Sequence, residues 1–214
     1  INRYYPGIEG IGFVERIGVR QMADHISSVR AQGIYDYLVR PLGKGPYYYP
    51  MVYMEPGTDR NRRALGYDAF SDPVHRSAME RARDAAVPMV TGKVVLVQES
   101  VDEDQAGFLM YYPVFQGGEV PEIRAERRMM LAGYVFSAFR MNSLFDGIVG
   151  LISPFLDVRI YDNGIVSRDT LMYGSNLGSL ENDFSFEMYF DRSCDRYIDN
   201  HVASYFHSYL QNRK

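Results

Sequence analysis

Tyrosine recurs inside the apolar runs of this chain: "YYYPMVYM" (47–54), "FLMYYPVF" (108–115) and "FEMYF" (186–190). A ring that packs and a hydroxyl that reaches water or a partner suits a strand with one face buried. With 18 Tyr, 12 Phe and no Trp, this pattern predicts sheets of half-buried strands. The 214 residues suffice for one large domain or two small ones sharing a core.

One helix announces itself as clearly. In "DPVHRSAMERARDAA" (72–86) Asp72 can cap the free N–H groups, and Pro73 takes the first helical position, where its missing donor costs nothing. Val74, Ala78, Ala82 and Ala85 then form an apolar stripe, with Arg76, Glu80, Arg81 and Arg83 mostly off it. Just upstream, Asp68 is either a turn residue or the polar contact of a ligand pocket.

Elsewhere, Tyr4–Gly12 reads as a turn. Phe13–Gln32 reads as a helix striped by Val14, Gly18, Met22, Ile26 and Val29 and stopped by Gly33. A breaker-rich loop (40–50) precedes the strand "MVYMEP", and a polar loop (57–68) follows it. Met89–Thr91, "KVVLVQ" (93–98) and "GFLMYYPVF" (107–115) are strand-like, with the acidic loop "ESVDEDQAG" between the last two. A second block holds the strand "LAGYVFSAFR" (131–140) and the short helix "MNSLFDGIVGLI" (141–152). "LDVRIYDNGI" turns at Asn163–Gly164 as a hairpin, and "DFSFEMYFD" supplies a last strand. Ile198, Val202, Tyr205, Phe206, Tyr209 and Leu210 predict a helix over Arg192–Lys214. The fold class is α+β with antiparallel sheets.

Several functions are disfavoured. A net charge of −4 with scattered Lys and Arg gives no field for nucleic acid. The lone Cys194 excludes an intrachain disulfide and a Cys-based zinc site, and His25, His75, His201 and His207 are too dispersed to suggest a metal. No phosphate loop, nucleophile elbow, HExxH or dinucleotide fingerprint occurs; "GIEGIG" (7–12) has the wrong spacing, and "ESVDEDQ" is not an EF-hand loop. No cofactor is expected, and the residues describe a binding or sensing module. Tyr53, Val90, Thr91, Gln98, Tyr111 and Phe115, on or beside strands facing the 72–86 helix, are the lining candidates alongside Asp68.

The ordered blocks "YPGIEGIGFVERI", "PMVYMEPGTDRNRRALGYDAFSDPVHRSAMERARDAAVPMVTGKVVLVQE" and "GFLMYYPVF" resemble the CHASE domain from about Tyr4 to Phe139. That family comprises extracytoplasmic ligand sensors of bacterial histidine kinases and diguanylate cyclases and of plant cytokinin receptors. The resemblance implies tandem PAS-like subdomains after an N-terminal stalk helix: 1–33 as the stalk remnant, 34–130 as the membrane-distal ligand-binding unit, and 131–214 as the membrane-proximal unit with a C-terminal helix. It further implies a periplasmic location in a bacterial inner-membrane protein, a homodimer through the stalk, and a cytoplasmic output enzyme. The ligand would be an unidentified small molecule, with purines and cytokinin-like compounds among the candidates. In cytokinin-binding relatives an Asp before this helix holds the adenine ring, and Asp68 stands in its place. Tyr111 stands where the plant receptors have a threonine, filling space that a prenylated adenine needs. Two rivals are a module for a periplasmic protein partner, predicting an apolar surface patch, and a cytoplasmic enzyme with Asp68 or another carboxylate as general base.

Overall fold

The computed structural model describes residues 7–41, 45–96, 106–152, 157–174 and 185–190. Two strands, β1 (Ile8–Glu15) and β2 (Ile17–Gly18), lead through a 3-10 turn into helix α1 (Met22–Ala31). Next come β3 (Tyr47–Tyr48), β4 (Met51–Glu55), the one-turn α2 (Asp59–Arg62), the long α3 (Pro73–Ala85), and the short β5 (Met89–Val90) and β6 (Val94–Val95). A second run holds β7 (Ala106–Phe115), α4 (Arg124–Met130), β8 (Leu131–Arg140), α5 (Met141–Ile152), β9 (Asp157–Asp162), β10 (Leu171–Gly174) and β11 (Ser185–Phe190). The class is α+β.

The main sheet is antiparallel, ordered β4-β1-β8-β7-β5, with β6 also paired to β7. Its inward face carries Val14, Leu109, Tyr111, Tyr134, Phe136 and Ala138, all buried against α3. At one end of its outer face Phe108 and Phe139 stack with ring centres 4.7 Å apart. That end is covered by Met141, Val158, Ile160, Met172 and Tyr173. At the other end Tyr53, Phe13, Val135 and Tyr112 lie directly opposite one another across β4, β1, β8 and β7. A third small core beneath α1 gathers Ile17, Val29, Tyr37 and Val39.

Two glycines let this sheet close. A Cβ at Gly12 would fall 2.2 Å from the Tyr53 carbonyl oxygen and 2.6 Å from the Phe136 ring; one at Gly133 would fall 2.1 Å from the Val14 carbonyl oxygen and 2.8 Å from the Phe13 ring. An aromatic ring thus lies over each glycine, on opposite faces of the same strand pair.

The N-terminal expectation needs correcting. Of the expected turn over Tyr4–Gly12 the described part, from Gly7, runs into a strand at Ile8, and the helix expected over Phe13–Gln32 is confined to Met22–Ala31, because Ile8–Glu15 forms that strand. Val14 pairs with Tyr134 on one side and Met51 on the other. The half of the stripe that is helical, Met22, Ile26 and Val29, does face the third core. Gly33 stops the helix at a φ of +97° that favours glycine.

Three smaller differences follow. The 57–68 loop contains the α2 turn, capped by the Thr58 side chain. Asn163 and Gly164 both have positive φ, yet the returning strand starts only at Leu171, so the turn opens a longer connection than a two-residue hairpin. In the second sheet, ordered β10-β9-β11, β9 and β11 run parallel rather than antiparallel.

Leu131–Arg140, which opens the third expected unit, is hydrogen-bonded on both sides within the main sheet, between β1 and β7. The sheet therefore draws strands from all three expected segments. Among the described residues no helix is long and apolar enough to cross a membrane. Cys194, His201, His207, the 192–214 helix and most of the 99–107 loop lie outside the described residues.

Candidate functional site

Helix α3 is the element around which the expected site residues were drawn, and its start follows the sequence reading. The Val74 and His75 N–H groups donate to Asp72 Oδ1 at 2.7 and 3.3 Å, and Pro73 occupies the first turn. The helix ends at Ala86, which takes a left-handed conformation (φ +58°). Its buried face, however, is turned from the expected stripe: His75, Ala78, Met79 and Ala82 are buried, while Val74 is half-buried and Ala85 exposed. The two alanines let the helix lie close to the sheet, and the longer Met79 and His75 fill the space beside them.

The space beneath α3 is filled by side chains. Tyr111, Tyr134 and Met79 are fully buried there. Tyr134 Oη donates to the Met79 carbonyl oxygen at 2.9 Å, and Tyr111 Oη shares a hydrogen bond with His75 Nδ1 at 2.7 Å. Burial pushes the Tyr111 phenol well up and the His75 imidazole down, so each stays neutral in the range where it pairs with the other. The Tyr67 ring stands edge-on to His75, with centres 6.0 Å apart.

Asp68 lies at the N-terminal approach to α3 and is 2% exposed. Its Oδ1 accepts from the Tyr49 N–H at 2.9 Å and the Phe70 N–H at 3.2 Å, capping the 3-10 turn Ala69–Ser71. Burial raises its carboxyl, against the opposing pull of these two N–H groups and of Arg76.

The other candidates separate. Phe115 is buried in the same core as Tyr111. Thr91 is fully buried, with its hydroxyl donating to the Gly92 carbonyl and accepting from the Leu109 N–H, which ties the β5 end to β7. Val90 packs with the core on the opposite face of the sheet, and Tyr53 is 55% exposed in the outer row. Gln98 lies outside the described residues. Tyr111 and Phe115 thus share the core beneath α3, Asp68 is buried at the N-terminal approach to it, and Tyr53 and Val90 lie elsewhere.

The solvent side of α3 holds an open cleft of about 520 Å³. Its walls are Arg76, Glu80, Arg81 and Asp84 on the helix and Arg124 from α4, with Met89 at its base. Asp84 is clamped by Arg83 (2.7 Å) and by Arg128 of α4; the Arg128 hydrogen bond, above all, holds its carboxyl well below the usual carboxylate range. In Arg81, Nε donates to the Ser77 carbonyl and Nη2 to the Val90 carbonyl, at 3.3 and 3.0 Å. In the sequence Arg76, Glu80 and Arg81 stand only as charges off the apolar stripe, and Asp84 and Arg124 carry no expected role. The available signal was their four-residue spacing at 76, 80 and 84, which lines one side of a helix.

The model of the CHASE domain family matches residues 1–173. The chain belongs to the CHASE domain family. CHASE domains are extracellular sensor domains of signalling proteins and lack catalytic activity of their own. The match spans the whole main sheet and α3 and ends within β10. No curated protein matches this chain.

Proposed function

We propose that this CHASE domain is the periplasmic small-molecule sensor of a membrane-bound signalling protein, and that it regulates a cytoplasmic output such as a diguanylate cyclase or a histidine kinase. The observation that carries the reading is the family match over residues 1–173, which takes in α3 and the sheet it packs on. The ligand-binding unit is the main sheet with α3, and the membrane-proximal unit follows β8; both keep the PAS-like character expected of the family, and two copies associate through a stalk. Signalling is a population shift: ligand favours one arrangement around α3, and that preference biases the dimer. Asp68, Thr91, Tyr111 and Phe115 support the ligand-binding unit from within.

A thermal-shift screen of the 214-residue chain tests this, using purines, cytokinins, amino acids and small carboxylates. Ligand in excess raises the melting temperature by mass action. A dose-dependent shift for one class supports the sensor. No shift across the panel counts against a small-molecule sensor and favours a protein partner. One observation speaks for that second reading: Tyr53, Val135 and Tyr112 of the in-register outer row are 55%, 40% and 48% exposed, an apolar strip of the kind that partners cover.

A further inference from the structure

We propose that the cleft on the solvent side of α3 binds an amino dicarboxylate, a small molecule with two carboxylates and one ammonium group. The inference rests on the sensor reading and adds a site and a ligand class to it.

The charges of the cleft differ in what already holds them. Asp84 is neutralised by Arg83 and Arg128, and the Arg81 guanidinium is pinned by two backbone carbonyls, so both give the cleft shape rather than recognition. Arg76 is different. Its Nε donates to the Phe70 carbonyl at 2.8 Å and its guanidinium lies over the Phe70 ring at 5.0 Å, which orients the group while no acceptor among the described residues takes its two Nη nitrogens. An oriented guanidinium with that edge open is suited to bidentate binding of a carboxylate. Arg124 faces the same cleft from α4 and is exposed, without a hydrogen bond or ion pair among the described residues. Glu80 stands one turn from Arg76, about 6 Å along the helix axis, and it too makes no hydrogen bond or ion pair among the described residues.

The open Nη edge of Arg76, the Arg124 guanidinium and the Glu80 carboxylate, each without a hydrogen-bonded partner among the described residues, call for the opposite set on the ligand. Arg128 reaches the Glu80 charge only through space, so a ligand with no cationic group, such as a phosphate or a plain dicarboxylate, meets a carboxylate that no hydrogen-bonded cation among the described residues offsets. An ammonium group beside Glu80 removes that repulsion while the two carboxylates engage Arg76 and Arg124. The volume of about 520 Å³ falls within the range of small-molecule sites and leaves room for bridging water.

Isothermal titration of the whole chain with L-glutamate, glutarate and adenine tests the proposal. The expected result is saturable glutamate binding that Arg124→Gln and Arg76→Gln each weaken about tenfold or more, with glutarate weaker than glutamate and the gap narrowed by Glu80→Gln. Arg124 is exposed and makes no hydrogen bond or ion pair with the described residues, so its replacement leaves folding intact. Absence of saturable glutamate heat overturns the proposal, as does glutamate binding that both arginine variants leave unchanged. Adenine binding that survives the arginine variants and is lost in Asp68→Asn also overturns it, while leaving the sensor reading in place.

Discussion

Tyr111 Oη and His75 Nδ1 meet at 2.7 Å in a space otherwise closed by Met79, Tyr134 and Phe136. A polar pair in an apolar core is costly when split, because the remaining partner keeps its desolvation penalty. Tyr111→Phe should therefore destabilise the fold by about 1–3 kcal/mol. Adding His75→Leu should cost less than the two single effects summed. Denaturant unfolding of the four proteins in the cycle measures this, and strict additivity would mean that the pair is not coupled.

The same pair sets a pH response. Burial lowers the His75 pKa from its ordinary 6.5, so below that pH the unfolded chain takes up a proton that the folded chain refuses. The stabilisation is fully present above about pH 6.5 and is lost as pH falls toward the depressed folded value. His25 is lowered as well, chiefly by burial and against the pull of Glu15, and adds in the same direction. Melting temperature should decline from pH 7 to pH 5, and His75→Gln should flatten that decline more than His25→Gln does. Equal slopes in wild type and His75→Gln would contradict the assignment.

Asp68 offers a clean contrast between an acceptor and a charge. Both N–H groups it receives come from the backbone, so Asn can accept them through its own Oδ1 without the cost of a buried carboxylate. Asp68→Asn should leave the melting temperature at pH 7 unchanged or higher. Asp68→Ala should cost about 1–2 kcal/mol. Thermal unfolding of both variants decides the matter, since a charge-dependent role would make the two equally harmful.

Gly12 should tolerate no side chain. A Cβ would meet the Tyr53 carbonyl at 2.2 Å, a backbone atom that cannot swing away. Gly12→Ala should destabilise at or above the upper end of the ~1–3 kcal/mol seen for overpacked cores. At Gly45 the nearest atom to a Cβ is the Tyr47 carbonyl oxygen at 3.6 Å, an ordinary contact, so Gly45→Ala serves as the near-neutral control.

The link between α3 and α4 is electrostatic and exposed. Arg128 is the largest cause of the low Asp84 pKa, so Arg128→Gln should bring that carboxyl back toward its ordinary range. Carboxyl carbon NMR across a pH titration reads this directly. With a depressed folded value, the Asp84 contribution to stability is present at neutral pH and lost as pH falls into the acid range. The melting temperature should change little at physiological salt, where such surface pairs are screened.

What the sequence determined by itself was local. Asp72 and Pro73 set the start of α3, Gly33 the end of α1, and the tyrosine-bearing runs 107–115 and 131–140 the two long central strands, because capping, backbone freedom and alternation are properties of neighbouring residues. The tertiary structure decided whatever depends on a distant partner. Val14 and Met22 share a helical spacing in the sequence, yet Val14 became a strand residue because Tyr134, 120 positions away, supplies its partner across the ladder. The buried face of α3 turned so that His75 could meet Tyr111. The cleft exists only where α3, β5 and α4 come together, and Arg76, Glu80 and Arg124 read as scattered surface charges until the fold sets them around one space. Hydrogen bonds across a sheet and the meeting of charges across a cleft are long-range events, and local periodicity carries no record of them.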